Sequence, residues 1–133
     1  MDFAMFVRII LAASTILLAV LSAAAAEDCQ QLGFEAREAL LRKAPTCDKA
    51  MELFSNCNGG GSGDINLGQI ATEKCQSDFL TKLSAKQRRT YQAGVKSCND
   101  QIKEDEGTLS RAIGAGCRAN LAQNFAHKYG KQR

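Results

Sequence analysis

The chain has no tryptophan, one proline (Pro45), one histidine (His127) and no cysteine pair spaced Cys-x-x-Cys. Each shortage excludes something. A single histidine leaves little for histidine-based nucleophilic catalysis. The closest cysteines, Cys47 and Cys57, have nine residues between them, which fits neither zinc ribbons nor haem attachment. No β-rich alternating run occurs, so no strand is predicted. Net charge is only +3, and the basic runs at Lys86, Arg88 and Arg89 and at His127, Lys128, Lys131 and Arg133 lack interleaved aromatics. They read as a solvated helix face and a terminal tail, and no nucleic-acid partner is expected.

What the chain does have is six cysteines, Cys29, Cys47, Cys57, Cys75, Cys98 and Cys117, all following an apolar N-terminal segment. Arg8 precedes an apolar run from Ile9 to Leu21, and small residues follow, ending in Ala24-Ala25-Ala26. That is the order of a cleavable signal peptide, with cleavage expected after Ala26. Residues 9–26 approach the lower length limit of a bilayer span, but the alanine-rich end fits cleavage better, so no stable membrane anchor is expected. Glu27 and Asp28 stand before Cys29, where a lipoprotein signal needs small neutral residues. Residues 1–26 are therefore read as signal and 27–133 as one exported, periplasmic or secreted domain. Their separation leaves the charge at +3, since Asp2 and Arg8 cancel. A domain this small has a limited core, and an even set of cysteines in an exported chain reads as a disulfide framework.

The remaining pattern predicts an all-α bundle of about five helices arranged as antiparallel hairpins. Asp28 can cap a first helix with Leu32, Ala36, Ala39 and Leu40 on one face, stopped at Pro45. Thr46 caps a short second helix carrying Cys47, Ala50, Met51 and Phe54. Asn56 to Asp64, NCNGGGSGD, is the main loop. Leu67, Ile70, Ala71, Cys75, Phe79 and Leu83 predict a third helix over 65–83. Ser84 and Gln87 form a capping box that opens a fourth, burying Tyr91, Val95, Cys98 and Ile102. Gly107 stops it, Thr108 caps the fifth, and Leu109, Ala112, Ile113, Cys117, Leu121, Phe125 and Tyr129 form its stripe. Gly114 and Gly116 inside that helix point to close packing beside Cys117, since each costs about 1 kcal/mol in helix propensity.

Helix lengths prune the disulfide connectivities. Cys29 and Cys47 bracket the first helix at roughly 27 Å, and Cys47 and Cys57 the second at roughly 15 Å. Both exceed the ~7 Å limit between bridged α-carbons. Cys98 and Cys117 are nearly equidistant from the turn at Gly107, as a hairpin pair should be. If they bond, only Cys29–Cys57 with Cys47–Cys75 survives, and the latter pair flanks the glycine loop symmetrically. A Cys75–Cys98 bond across the hairpin at Leu83 stays open as an alternative.

No enzymatic constellation emerges, and no cofactor or metal motif is found. His127 falls in a terminal turn. Asp100, Glu104, Asp105 and Glu106 cluster where solvent screens them and nothing apolar raises a carboxyl pKa. With all cysteines oxidised, no thiolate is left. The glycine loop could converge its amides on a phosphate, but no Gly-Lys-Ser or Gly-Lys-Thr follows and no strand precedes it. Asn58, Ser62 and Asp64 are its candidate partner contacts, because recognition commonly sits on loops of a rigid scaffold.

The segments LSAKQRRTY (83–91) leading to Cys98, EGTLSRAIGAGC (106–117) and RANLAQNF (118–125) resemble the small exported helical proteins grouped with the LprI-type lysozyme inhibitors. The resemblance implies an all-helical, disulfide-linked envelope protein with a Cys98–Cys117 bond, and it assigns no inhibitory residue. The resulting expectation is a non-enzymatic exported binding protein whose partner is a protein, lysozyme or another cell-wall hydrolase. The competing expectation is an envelope structural or stress protein that binds anionic envelope components or another exported protein.

Overall fold

The computed structural model describes Cys29 and residues 31–102 and 107–130. The expected signal segment with its cleavage point, the expected Asp28 cap, the carboxylates Glu104 to Glu106, and Lys131 and Arg133 lie outside the described residues. The described residues form five α-helices, α1 (Phe34–Arg42), α2 (Cys47–Cys57), α3 (Gly63–Phe79), α4 (Ala85–Asp100) and α5 (Thr108–Tyr129). A 3-10 turn, Leu80–Lys82, joins α3 to α4, and no strand occurs among the described residues.

Local chemistry explains most of the boundaries. Thr46 accepts the Lys49 amide at 3.1 Å and opens α2. Ser84 accepts the Gln87 amide while the Gln87 side chain accepts the Ser84 amide, which completes the predicted capping box of α4. Three starts differ from expectation, the first being α3, which begins at Gly63 inside the expected loop. Helix α1 begins at Phe34 with Gly33 as its N-cap, and α5 takes Gly107 as N-cap with Thr108 as its first helical residue. Helix α1 ends at Arg42, ahead of Pro45, whose ring disfavours helical backbone at the residue before it.

Three disulfides staple the helices: Cys29–Cys57, Cys47–Cys75 and Cys98–Cys117, with Cα separations of 5.2, 4.5 and 5.6 Å. The second ties the antiparallel hairpin α2/α3 and the third the antiparallel hairpin α4/α5. All six cysteines are bonded, which assigns the folded chain to an oxidising environment. Among the described residues no helix is long and apolar enough to cross a membrane.

The two hairpins meet through α3 and α5, the most extensive helix contact in the molecule. Gly68 lies against Ala115, and Phe79 lies against Phe125 at 5.7 Å between ring centroids, so the two helices run parallel. The inward face of α5 is a stripe of small residues, Ala115, Ala119, Ala122 and Ala126, spaced at four and three residues. Small side chains let the backbones approach, and the bulk comes from α3, where Leu67, Ile70 and Phe79 are buried. At the far end Phe79, Tyr91, Phe125 and Tyr129 form an aromatic cluster, with Tyr91 and Phe125 edge to face at 4.9 Å. Gln76 Nε2 donates to the Tyr91 hydroxyl at 2.9 Å, and burial pushes that hydroxyl above its ordinary pKa.

Two expected faces are rotated. Helix α1 buries Leu41 completely and leaves Leu40 37% exposed, with Ala36 and Ala39 outside as well. Neighbouring leucines differ by about 100° around a helix, and the position of α3 selects which one is covered. In α5 the structure turns the alanine stripe inward, and Leu109 and Ile113 stand at the surface. Of the two glycines, Gly114 makes the expected close approach, where an added Cβ would stand 3.0 Å from Ile102, whereas at Gly116 it would meet only Phe54 at 3.9 Å; the close approach between the hairpins is made by Gly68.

Candidate functional site

The loop between α2 and α3 is pinned from three directions. Cys57, the last residue of α2, is bonded to Cys29. Arg37 of α1 donates from Nη1 to the Cys57 carbonyl at 3.0 Å and from Nε to the Leu32 carbonyl at 2.9 Å. Asp64, in the first turn of α3, turns its carboxylate back into the loop. Its Oδ1 accepts the Gly59 amide at 3.1 Å, and its Oδ2 accepts the amides of Gly60 at 2.6 Å and Gly61 at 3.1 Å.

The glycines thus converge their amides on an anion, and the anion is the chain's own carboxylate. Gly60 makes this possible with φ +78°, the one positive φ among the described residues, where a side chain would be strained. Asp64 is only 7% exposed and faces inward, whereas Asn58 and Ser62 are exposed on the loop. Of the sequence-derived contacts, Asn58 and Ser62 can reach a partner directly, and Asp64 shapes the loop that carries them. Phe34 packs over the start of α3, where a Cβ on Gly63 would stand 2.7 Å from its ring.

Beside the loop, α2 and α5 enclose a groove of about 310 Å³. Met51, Phe54 and Gly116 line it, with Ser55, Asn58 and Asn120 supplying polar groups. Leu109 and Ile113, one turn apart on α5, also line it and are 62% and 57% exposed, the most exposed large apolar side chains among the described residues. Large apolar side chains left together in solvent beside a polar loop mark an interaction surface more readily than a site for chemistry. The sequence reading placed both on the buried stripe and so missed them. The signal was present as the alanines at 115, 119, 122 and 126, whose spacing competes with the stripe of large residues for the inward face.

The ionisable groups are arranged for structure. His127 belongs to the last turn of α5 and not to a loose tail. Its Nε2 lies 2.5 Å from Asp48 Oδ1 in the first turn of α2, and Gln123 Nε2 donates to the same oxygen at 2.8 Å. These hydrogen bonds, Gln123 first and His127 second, hold the Asp48 carboxyl below its usual pKa. Asp100 pairs with Lys96 at 2.6 Å. Among the described residues no three His, Cys, Asp or Glu side chains gather as a metal-ligand set.

Comparison with protein-family models, with curated protein sequences and with solved structures found no match for this chain.

Proposed function

We propose that the chain is an exported, non-enzymatic binding protein that acts by occupying a protein partner's surface. In this reading residues 1–26 direct export, the disulfides hold the folded domain rigid, and the groove at Leu109 and Ile113 with the loop at Asn58 and Ser62 forms the contact. The observation that carries it is the exposure of Leu109 and Ile113 on a scaffold pinned by Cys29–Cys57, Arg37 and Asp64. An apolar centre rimmed by polar groups is the usual anatomy of a recognition patch, and a preorganised loop loses little entropy on binding. The partner class is a lysozyme or another cell-wall hydrolase, which is what the sequence resemblance implies.

The test is capture of lysozyme and of wall hydrolases from an envelope extract by the oxidised protein, alongside a Leu109→Ser, Ile113→Ser double variant. The expected result is retention of a hydrolase, inhibition of its activity, and at least about tenfold weaker capture by the variant, the scale of a disrupted hot spot. Equal capture by both proteins would remove the groove from the contact. Retention of anionic envelope polymers alone, lost on adding salt, would favour the structural or stress-protein reading.

A further inference from the structure

The basic run at Lys86 to Arg89 and the distant Lys128, which look unrelated in the sequence, come together in the fold. Across the antiparallel α4/α5 pair, Cys98 is bonded to Cys117, Gly94 lies against Leu121, and Tyr91 packs on Phe125. Continuing that register by one turn sets Arg88 level with Lys128. Lys86 and Arg89 are in the same first turns of α4, and Lys82 ends the 3-10 turn that leads into them. Lys82, Lys86, Arg88, Arg89 and Lys128 are all exposed at this end of the bundle.

The acids at the same end do not balance them. Asp48 is held by Gln123 and His127, and Glu52 is paired with Lys49 at 2.7 Å. Asp78 remains as an exposed carboxylate, while Lys82 directs its ammonium to the Asp78 backbone carbonyl. Arg88 donates from its guanidinium Nη2 to the Leu80 carbonyl at 3.2 Å, a neutral acceptor that leaves its charge uncompensated. None of these five cations lines the grooves between α2 and α5 or between α1 and α3. They stand at helix ends, around the start of α4 and in the last turn of α5, outside those grooves, as charges offered to a surface and not to a cleft.

We propose that this basic end docks reversibly on an anionic phospholipid surface. The attraction is Coulombic, with each lysine or arginine near such a surface strengthening binding about fivefold. No apolar insertion is required, since the exposed large apolar side chains are elsewhere, at Phe34, Leu40, Leu109 and Ile113. Leu109 precedes Lys128 by roughly 28 Å along α5, so docking turns the groove away from the membrane. The inference is independent of which protein, if any, the groove takes.

The experiment is vesicle co-sedimentation of the oxidised protein recovered from a secreting host. It compares phosphatidylcholine vesicles with vesicles containing about one-third phosphatidylglycerol, at low and moderate salt. Retention is expected only on the anionic vesicles, weakened by salt. It should fall at least about twentyfold in a Lys86→Glu, Arg89→Glu variant and far less in Arg111→Glu, which changes charge at the opposite end of α5. Circular dichroism and intact mass with all disulfides closed confirm that each variant is folded. Equal retention on both vesicle types, or an equal loss in Arg111→Glu, would overturn the proposal. Binding to soluble polyphosphate without binding to vesicles would also overturn it, in favour of a polymer ligand.

Discussion

Gly68 of α3 and Ala115 of α5 meet so closely that a Cβ added at residue 68 would stand 2.9 Å from the Ala115 Cβ and 3.1 Å from its carbonyl carbon. The neighbouring atoms are a methyl and backbone, with no flexible chain end to move aside. Gly68→Ala therefore forces the two hairpins apart. Overpacking of this kind costs about 1–3 kcal/mol, while alanine recovers about 1 kcal/mol of helix propensity, so a net loss of up to roughly 2 kcal/mol is expected. Gly116→Ala is the contrast, because the added methyl meets Phe54 at an ordinary 3.9 Å. It should be stabilising by up to about 1 kcal/mol. Chemical denaturation of the two variants beside the parent decides it, and the opposite order would sink the close-approach account.

Asp64→Ala leaves the amides of Gly59, Gly60 and Gly61 without their carboxylate. The loss is expected at about 1–3 kcal/mol, the range for charge-assisted hydrogen bonds in a partly buried setting. Amide hydrogen exchange should accelerate at residues 59–61 well before it does in α3. Unchanged protection of those amides would show that the loop holds its shape without Asp64.

Disulfide removal should be felt strongly. Cys47–Cys75 closes a separation of 28 residues and Cys98–Cys117 one of 19. On the loop-entropy account each bridge stabilises by about 3–4 kcal/mol, a large share of the net stability of a domain this size. The paired replacement Cys47→Ala with Cys75→Ala should lower the unfolding free energy from chemical denaturation by that amount. Reduction of the parent protein should lower it further.

Acid should weaken the clasp between α2 and α5. The Asp48 carboxyl sits below its usual range because Gln123 and His127 hydrogen-bond its ionised form. A lowered folded-state pKa contributes stability that is present above the unfolded value and lost as pH falls through the folded value. The contribution is therefore intact at neutral pH, begins to fall near the ordinary carboxyl pKa and is gone only below the lowered folded value. The pair is exposed, so its scale is under about 1 kcal/mol. Asp48→Asn should be slightly less stable than the parent at pH 7, with the difference smaller at pH 3, as measured by thermal melts. A constant difference across that range would remove Asp48 from the acid response.

Much of the fold was legible because its signals are local. The Thr46 cap and the Ser84–Gln87 box act over three residues, and each appears where the sequence places it. The candidate site was legible only in part. NCNGGGSGD marks the loop, but the inward turn of Asp64 depends on the glycines presenting their amides together. Arg37 was not legible at all, since its link to Cys57 spans 20 residues and has no motif. Leu109 and Ile113 fit a helical stripe as well as the alanines do, and periodicity cannot rank two stripes on one helix.

The sequence by itself determined an all-helical chain, the caps and breaks of its helices, and a cysteine spacing compatible with few bonds. Those properties depend on backbone hydrogen bonding and helix length, which contacts within a few residues fix. Only the tertiary structure decided that α3 and α5 run parallel through Gly68 and Ala115, that Leu41 and not Leu40 is covered, and that Leu109 and Ile113 face solvent. It also brought Lys86 to Arg89 and Lys128 to one end. The physical reason is that a helix can offer more than one packable face. Which face is buried depends on how closely a partner backbone can approach, and that distance is set by small residues on both helices at once.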